Sequence, residues 1–131
     1  MKFAEHFPRQ CPPVDSSDAS GTVYRLICGD LPQKKDFESY WVTKPKCRQK
    51  WAKEGLDCKA CGLSVYTDIK DLKKTQKIVP AVRKIQKIAK GILEPNMGKI
   101  KSTTGKPVTS HHTWWVPLSL EDPSTFFEVV A

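Results

Sequence analysis

The run Ser110-His111-His112-Thr113-Trp114-Trp115 sets two imidazoles beside two indoles. An imidazole titrates near neutrality, so His111 or His112 could give or take a proton in a pocket. On a strand, successive side chains point to opposite faces. His112 and Trp114 then share one face, and His111, Thr113 and Trp115 share the other. The plainer reading, and the favoured one, is a strand with buried indoles and an exposed start.

Arg25 stands inside the apolar run Thr22-Val23-Tyr24-Arg25-Leu26-Ile27-Cys28. A guanidinium in such a run needs an edge position, a carboxylate or a ligand. Ser39 and Glu128 complete a set of an arginine, a hydroxyl and a carboxylate from separate elements. A set of that kind occurs in ADP-ribosyl-transferring folds, and the order of elements is compatible with one. The likeness is an analogy of topology, and no motif carries it. The candidate catalytic residues are Arg25, His111, His112 and Glu128.

Cys58-Lys59-Ala60-Cys61-Gly62 resembles a zinc knuckle. Two thiolates on a tight turn supply half of a tetrahedral site, and Cys47 with His111 or His112 could supply the rest. A structural zinc on Cys58, Cys61 and Cys47 is the metal reading. The plainer one is that the pair are small apolar residues ahead of a buried strand. Five cysteines, an odd number, with no secretory signal at Met1-Lys2-Phe3-Ala4-Glu5 point to reduced thiols and a cytoplasmic location.

Charge is the most uneven property of the chain. The net charge is +8, and eleven of the 22 Lys and Arg fall in residues 69–106 against only Asp71 and Glu94. Lys70, Lys73, Lys74, Lys77, Arg83, Lys84, Lys87 and Lys90 are candidates for neutralising the phosphates of a nucleic acid or the carboxylates of an acidic protein. Trp114 and Trp115 are the nearest aromatics that could stack on bases. With only four arginines in the chain, base-specific readout is disfavoured. The bland alternative is a solvated lysine face.

These residues need elements to position them. Residues 1–21 read as an irregular arm, broken by Pro8, Pro12 and Pro13 and by the turn-forming run Asp15-Ser16-Ser17-Asp18. Residues 22–131 read as one domain. Residues 22–28 form a central strand, rich in β-branched and aromatic side chains. Residues 32–41 and 43–54 read as helices, the second stopped by Gly55. Residues 62–67 read as a second strand and residues 69–78 as a basic helix capped by Asp68. Ala81, Val82, Ile85, Ile88, Ala89, Ile92 and Leu93 recur at helical spacing, which predicts an amphipathic helix over 80–93. Residues 109–118 and 124–130 read as the last strands. The fold class is α+β: a small mixed or antiparallel sheet of about four strands packed with two to four helices.

No apolar stretch approaches the roughly 20 residues of a membrane span. Phosphate-loop, dinucleotide-fingerprint, zinc-protease and nucleophile-elbow patterns are all missing from the sequence. The leading functional expectation is therefore a basic binding domain that contacts nucleic acid or another polyanion through a lysine-rich helical face. A small enzyme acting on a nucleotide or nucleic-acid substrate is the first alternative. An adaptor or inhibitor that binds protein is the second.

Overall fold

A computed structural model describes residues 1–78, 86–104 and 109–131. Eleven regular elements organise the described residues. They are β1 (Ser17–Asp18), β2 (Gly21–Cys28), α1 (Tyr40–Thr43), α2 (Arg48–Glu54), α3 (Asp57–Ala60), β3 (Leu63–Tyr66), α4 (Ile69–Ile78), β4 (Gln86–Leu93), β5 (Lys99–Ser102), β6 (His111–Trp115) and β7 (Phe127–Val129). Four 3₁₀ turns lie between them. The strands form one antiparallel sheet in the order β1-β5-β6-β3-β2-β4-β7. The α+β class is as the sequence indicates, but the sheet has seven strands rather than about four.

Strand alternation builds the core. Val23 and Ile27 of β2, Leu63 and Val65 of β3, Ala89 and Leu93 of β4, and Trp114 of β6 form one buried cluster. Phe37, Met97 and Phe127 close over it, with the Phe37 and Phe127 rings 4.8 Å apart. Each large side chain so buried contributes about 1.5–3 kcal/mol. The Trp114 indole also donates to the Met97 carbonyl at 2.8 Å, so its one polar atom is satisfied inside the core.

Local signals set the helices. Asp68 accepts from the Lys70 amide at 2.9 Å and so caps α4. Gly55 ends α2 in the left-handed region, at φ 71°. α4 packs against β2 and β3, buries Leu72, and sends the Gln76 amide to the Gln86 carbonyl at 2.9 Å. No helix among the described residues is long and apolar enough to cross a membrane.

Two sequence expectations are corrected. Residues 86–93 are strand β4, not the second half of a helix over 80–93; residues 79–85 lie outside the described residues. The apolar residues there satisfy a helical period, but Ala89, Gly91 and Leu93 alternate onto the core-facing side of β4, with Ile88 buried on the other side and Ile92 exposed. Gly91 tips the balance. It costs a helix interior about 1 kcal/mol, and in the strand its missing side chain makes room for the Phe127 ring.

The second correction concerns the thiols. Cys11 and Cys58 form a disulfide, so the expectation of five reduced cysteines does not hold. The bond ties the N-terminal segment to α3. The Lys2 carbonyl, which accepts from the Leu118 amide at 2.9 Å, ties it down again.

Candidate functional site

The site grows from an asymmetry around β2. With β4, β2 pairs along its whole length, from Gly21↔Leu93 to Cys28↔Gln86. With β3 it pairs only at Tyr24↔Tyr66. Beyond that pair the two strands part, and strand carbonyls facing the gap need donors from elsewhere.

Arg25 supplies them. Its Nη1 donates to the Ser64 carbonyl at 2.7 Å and its Nε to the Asp36 carbonyl at 3.0 Å. The Phe37 ring lies under the guanidinium at 5.7 Å. Burial pushes the Arg25 pKa down to about 10, while Tyr40 and Asp36 pull it upward. The group is therefore still a cation at neutral pH. Its neighbours are mainly carbonyls, which leaves its charge available to an anion.

A cleft of about 320 Å³ opens between the β3–β6 face and the α1–α3 segment, bounded by Tyr40, Trp51, Lys59, Ser64, His111 and Thr113. A smaller neighbouring depression, about 40 Å³, is lined by Arg25, Glu38 and Ser39. The two share Tyr40, Gly62, Leu63 and Ser64 as walls. Arg25 and His111 thus line two neighbouring depressions that have these walls in common. Sequence reasoning named those two but missed Glu38, Tyr40, Trp51, Lys59 and Ser64. The signal for Ser64 was there in outline: it is the exposed residue between buried Leu63 and Val65 on a short strand.

His111 is held on several sides. Its Nδ1 lies 2.7 Å from Thr103 Oγ1, and Thr103 Oγ1 lies 3.0 Å from Thr113 Oγ1. The Tyr66 ring meets the imidazole edge-on at 5.1 Å. Burial first, then the Lys59 charge, lowers the His111 pKa, with His112 acting in the same direction; the Thr103 backbone carbonyl acts the other way.

The remaining candidates lie elsewhere. His112 sits opposite Val65 on the core-facing side of β6 and contacts the Ser110 carbonyl at 2.7 Å through Nδ1. Glu128 is exposed on β7, at the far edge of the sheet, opposite Lys90. Of the catalytic set read from the sequence, Arg25 and His111 line neighbouring depressions, His112 and Glu128 line neither, and Glu38 borders the one that Arg25 lines.

Trp114 and Trp115 are fully buried, and the Trp115 indole donates to the Cys58 carbonyl at 2.8 Å. Neither ring face is open to a base. Cys58 is bonded to Cys11, which removes it from the Cys58, Cys61 and Cys47 ligand set. Burial raises the Cys61 thiol to about 11, which keeps it protonated. Among the described residues no three His, Cys, Asp or Glu side chains are grouped to hold a metal.

The lysines divide into distinct groups. Lys70, Lys73, Lys74 and Lys77 are exposed along α4 at helical spacing, while Asp71 turns inward and accepts from the Ser110 amide at 3.1 Å. Lys87 and Lys90 are half-buried on β4, and Arg83 and Lys84 lie outside the described residues. Lys99 and Lys101 are paired with Asp18 and Asp15 at 2.6 and 2.9 Å. Among the described residues the α4 lysines form no ion pair.

A larger depression, about 440 Å³, is bounded by Phe7, Val42, Leu118 and Leu120. Its apolar walls are joined by His6, Lys34, Glu38, Ser39 and Glu121, so it too presents polar groups, but neither Arg25 nor His111 lines it. No protein-family model, no curated protein and no solved structure significantly matches the chain.

Proposed function

We propose that the cleft over β3 and β6 binds a nucleotide, and that the chain is a small enzyme that transfers ADP-ribose from NAD. One observation carries the reading: the depressions lined by Arg25 and by His111 are neighbours that share Ser64 and Tyr40 as walls. A guanidinium and the Lys59 ammonium suit phosphoryl oxygens. The Tyr40 and Trp51 rings suit a flat heterocycle, and Ser64 and Ser39 suit ribose hydroxyls. The arrangement resembles the arginine and hydroxyl of ADP-ribosyl-transferring folds, with Glu38 rather than Glu128 as the bordering carboxylate. In such a transfer the C1′–N bond breaks with its electron pair leaving on nicotinamide. The acceptor then bonds to C1′, and its proton passes to water.

Calorimetric titration with NAD, ADP and AMP tests the binding, and nicotinamide release tests the chemistry. The expected result is saturable NAD binding, weakened about tenfold or more by Ser64→Ala and by His111→Ala, a change of about 1.4 kcal/mol each. Absence of binding by all three nucleotides at millimolar concentration would end the reading.

A second reading rests on a different observation. The four exposed α4 lysines, free of ion pairs among the described residues, suit a nucleic-acid backbone. Binding to single-stranded RNA across a salt series should show a slope of log affinity against log salt of about −3, for four phosphates neutralised. Lys70→Glu with Lys74→Glu should reduce that slope by about half. An unchanged slope would return the lysines to a solvated face.

A further inference from the structure

The Thr113 hydroxyl is buried, with the residue 2% exposed, and a buried donor needs an acceptor. Among the described residues its hydrogen-bond partner is Thr103 Oγ1, 3.0 Å away. A hydroxyl carries one proton and can accept two bonds. Thr113 therefore gives its proton to Thr103, and Thr103 is left to give its own to His111 Nδ1 at 2.7 Å. A nitrogen that accepts is not itself protonated, so in the neutral ring the proton must sit on Nε2.

We infer that Thr103 is a positioning residue: the Thr113–Thr103–His111 chain fixes His111 as a neutral imidazole that offers Nε2–H to the cleft. Three further features support the arrangement. The backbone ladder continues past β5, since the Thr103 amide donates to the His111 carbonyl at 3.0 Å, so the two side chains meet in a fixed register. Gly62 is packed so closely on the Thr113 methyl and the Trp115 ring that Thr113 has little freedom to turn. The edge-on Tyr66 ring, 5.1 Å away, limits rotation of the imidazole. Of the groups around the ring, burial, Lys59 and His112 disfavour a second proton on it, against the Thr103 backbone carbonyl, which favours one.

The consequence is a selectivity, and it rests on the cleft being the nucleotide site. Arg25, Lys59 and His111 Nε2–H then all donate. A ligand rich in acceptors, such as the phosphoryl and ribosyl oxygens of a dinucleotide, satisfies all three. A ligand offering N–H or ammonium groups at those positions leaves donors facing donors, which costs affinity. It also makes His111 a hydrogen-bond donor to ligand oxygens rather than a general base.

The tautomer is read without any ligand, so the test stands apart from nucleotide binding. Full-length protein labelled with ¹⁵N at histidine is examined by long-range proton–nitrogen NMR, with His6→Gln and His112→Gln used to assign the His111 ring. The wild type should show one unaveraged Nε2–H tautomer from pH 8 down to the onset of protonation. Thr103→Val, which keeps the shape and removes the hydroxyl, should populate the Nδ1–H form and move the titration midpoint. Thr103→Ser should restore the wild-type spectrum. An Nδ1–H or averaged tautomer in the wild type overturns the inference even if the valine variant fails to fold, and so does a Thr103→Val spectrum identical to wild type.

Discussion

The two sides of β2 are built to opposite ends. Its seam with β4 is zipped along eight residue pairs, with Gly91 and Phe127 interlocked against it. Its seam with β3 closes at one pair and then opens around Arg25. Stability and chemistry ask different things of a backbone. A closed ladder satisfies its own amides and carbonyls and has nothing left to offer a ligand. An open one exposes acceptors that must be met by a side chain, and here that side chain is a cation beside a cleft. One strand thus anchors the fold along one edge and frames the candidate site along the other.

The comparison breaks most visibly at the closed seam. A Cβ at Gly91 would lie 2.6–2.8 Å from three atoms of the buried Phe127 ring. Gly91→Leu should cost about 3 kcal/mol in urea unfolding, because overpacking forces the ring or the strand to move. Adding Phe127→Ala should recover part of that loss, since the two residues compete for one volume. Nucleotide affinity of the folded fraction should be unchanged. Independent, additive losses would mean that the seam is not packed as tightly as described.

At the open seam the expected effect on stability is smaller and the effect on binding larger. Arg25→Met keeps the apolar stem but strips the donors from the Ser64 and Asp36 carbonyls. Losing two bonds to a charged group should cost about 2 kcal/mol. Arg25→Lys should not restore the site, because one ammonium cannot reproduce a planar fork that reaches two carbonyls in different directions. Thermal unfolding gives the first quantity, and NAD titration of the same variants the second. A variant that lost stability but bound NAD normally would make Arg25 a structural pin alone.

How far the sequence discloses this arrangement differs along β2 in the same way. Residues 22–28 announce a strand because β-branched and aromatic residues follow one another, and Arg25 is conspicuous among them. Its partner β4 is disguised: Ile88, Ala89, Ile92 and Leu93 fit a helical period, and only the eight-pair ladder, a long-range interaction, decides for the strand. β5 escapes because Lys99-Ile100-Lys101-Ser102 has a single apolar residue, and its pairing with Ile100↔Trp114 is set by β6. His111 is legible as a chemical residue, and its face follows from alternation. Glu38 and Lys59 are not, because ordinary surface residues become cleft walls only when the chain returns beside β3. The Cys11–Cys58 link is equally hidden, since five cysteines spread between Cys11 and Cys61 carry no pairing rule.

The smallest expected effect sharpens the contrast through pH. Burial and Lys59 hold the His111 pKa below its ordinary value of 6.5, and burial with Arg48 does the same for His6. As acid is added, the unfolded chain takes up these protons first. Stability contributed by the neutral rings is therefore complete above about pH 6.5 and is lost as the pH falls toward the folded-state pKa values. Unfolding midpoints from pH 8 to 5 should fall gently on the acid side. His111→Gln should remove the part due to the cleft and leave the part due to His6. The same pH series on Gly91→Leu should run parallel to wild type, because the atoms nearest Gly91 belong to Phe127 and not to a histidine. If His111→Gln left the acid slope untouched, the imidazole would be as free to protonate in the fold as in water. The open seam would then have none of the dryness on which its proposed chemistry depends.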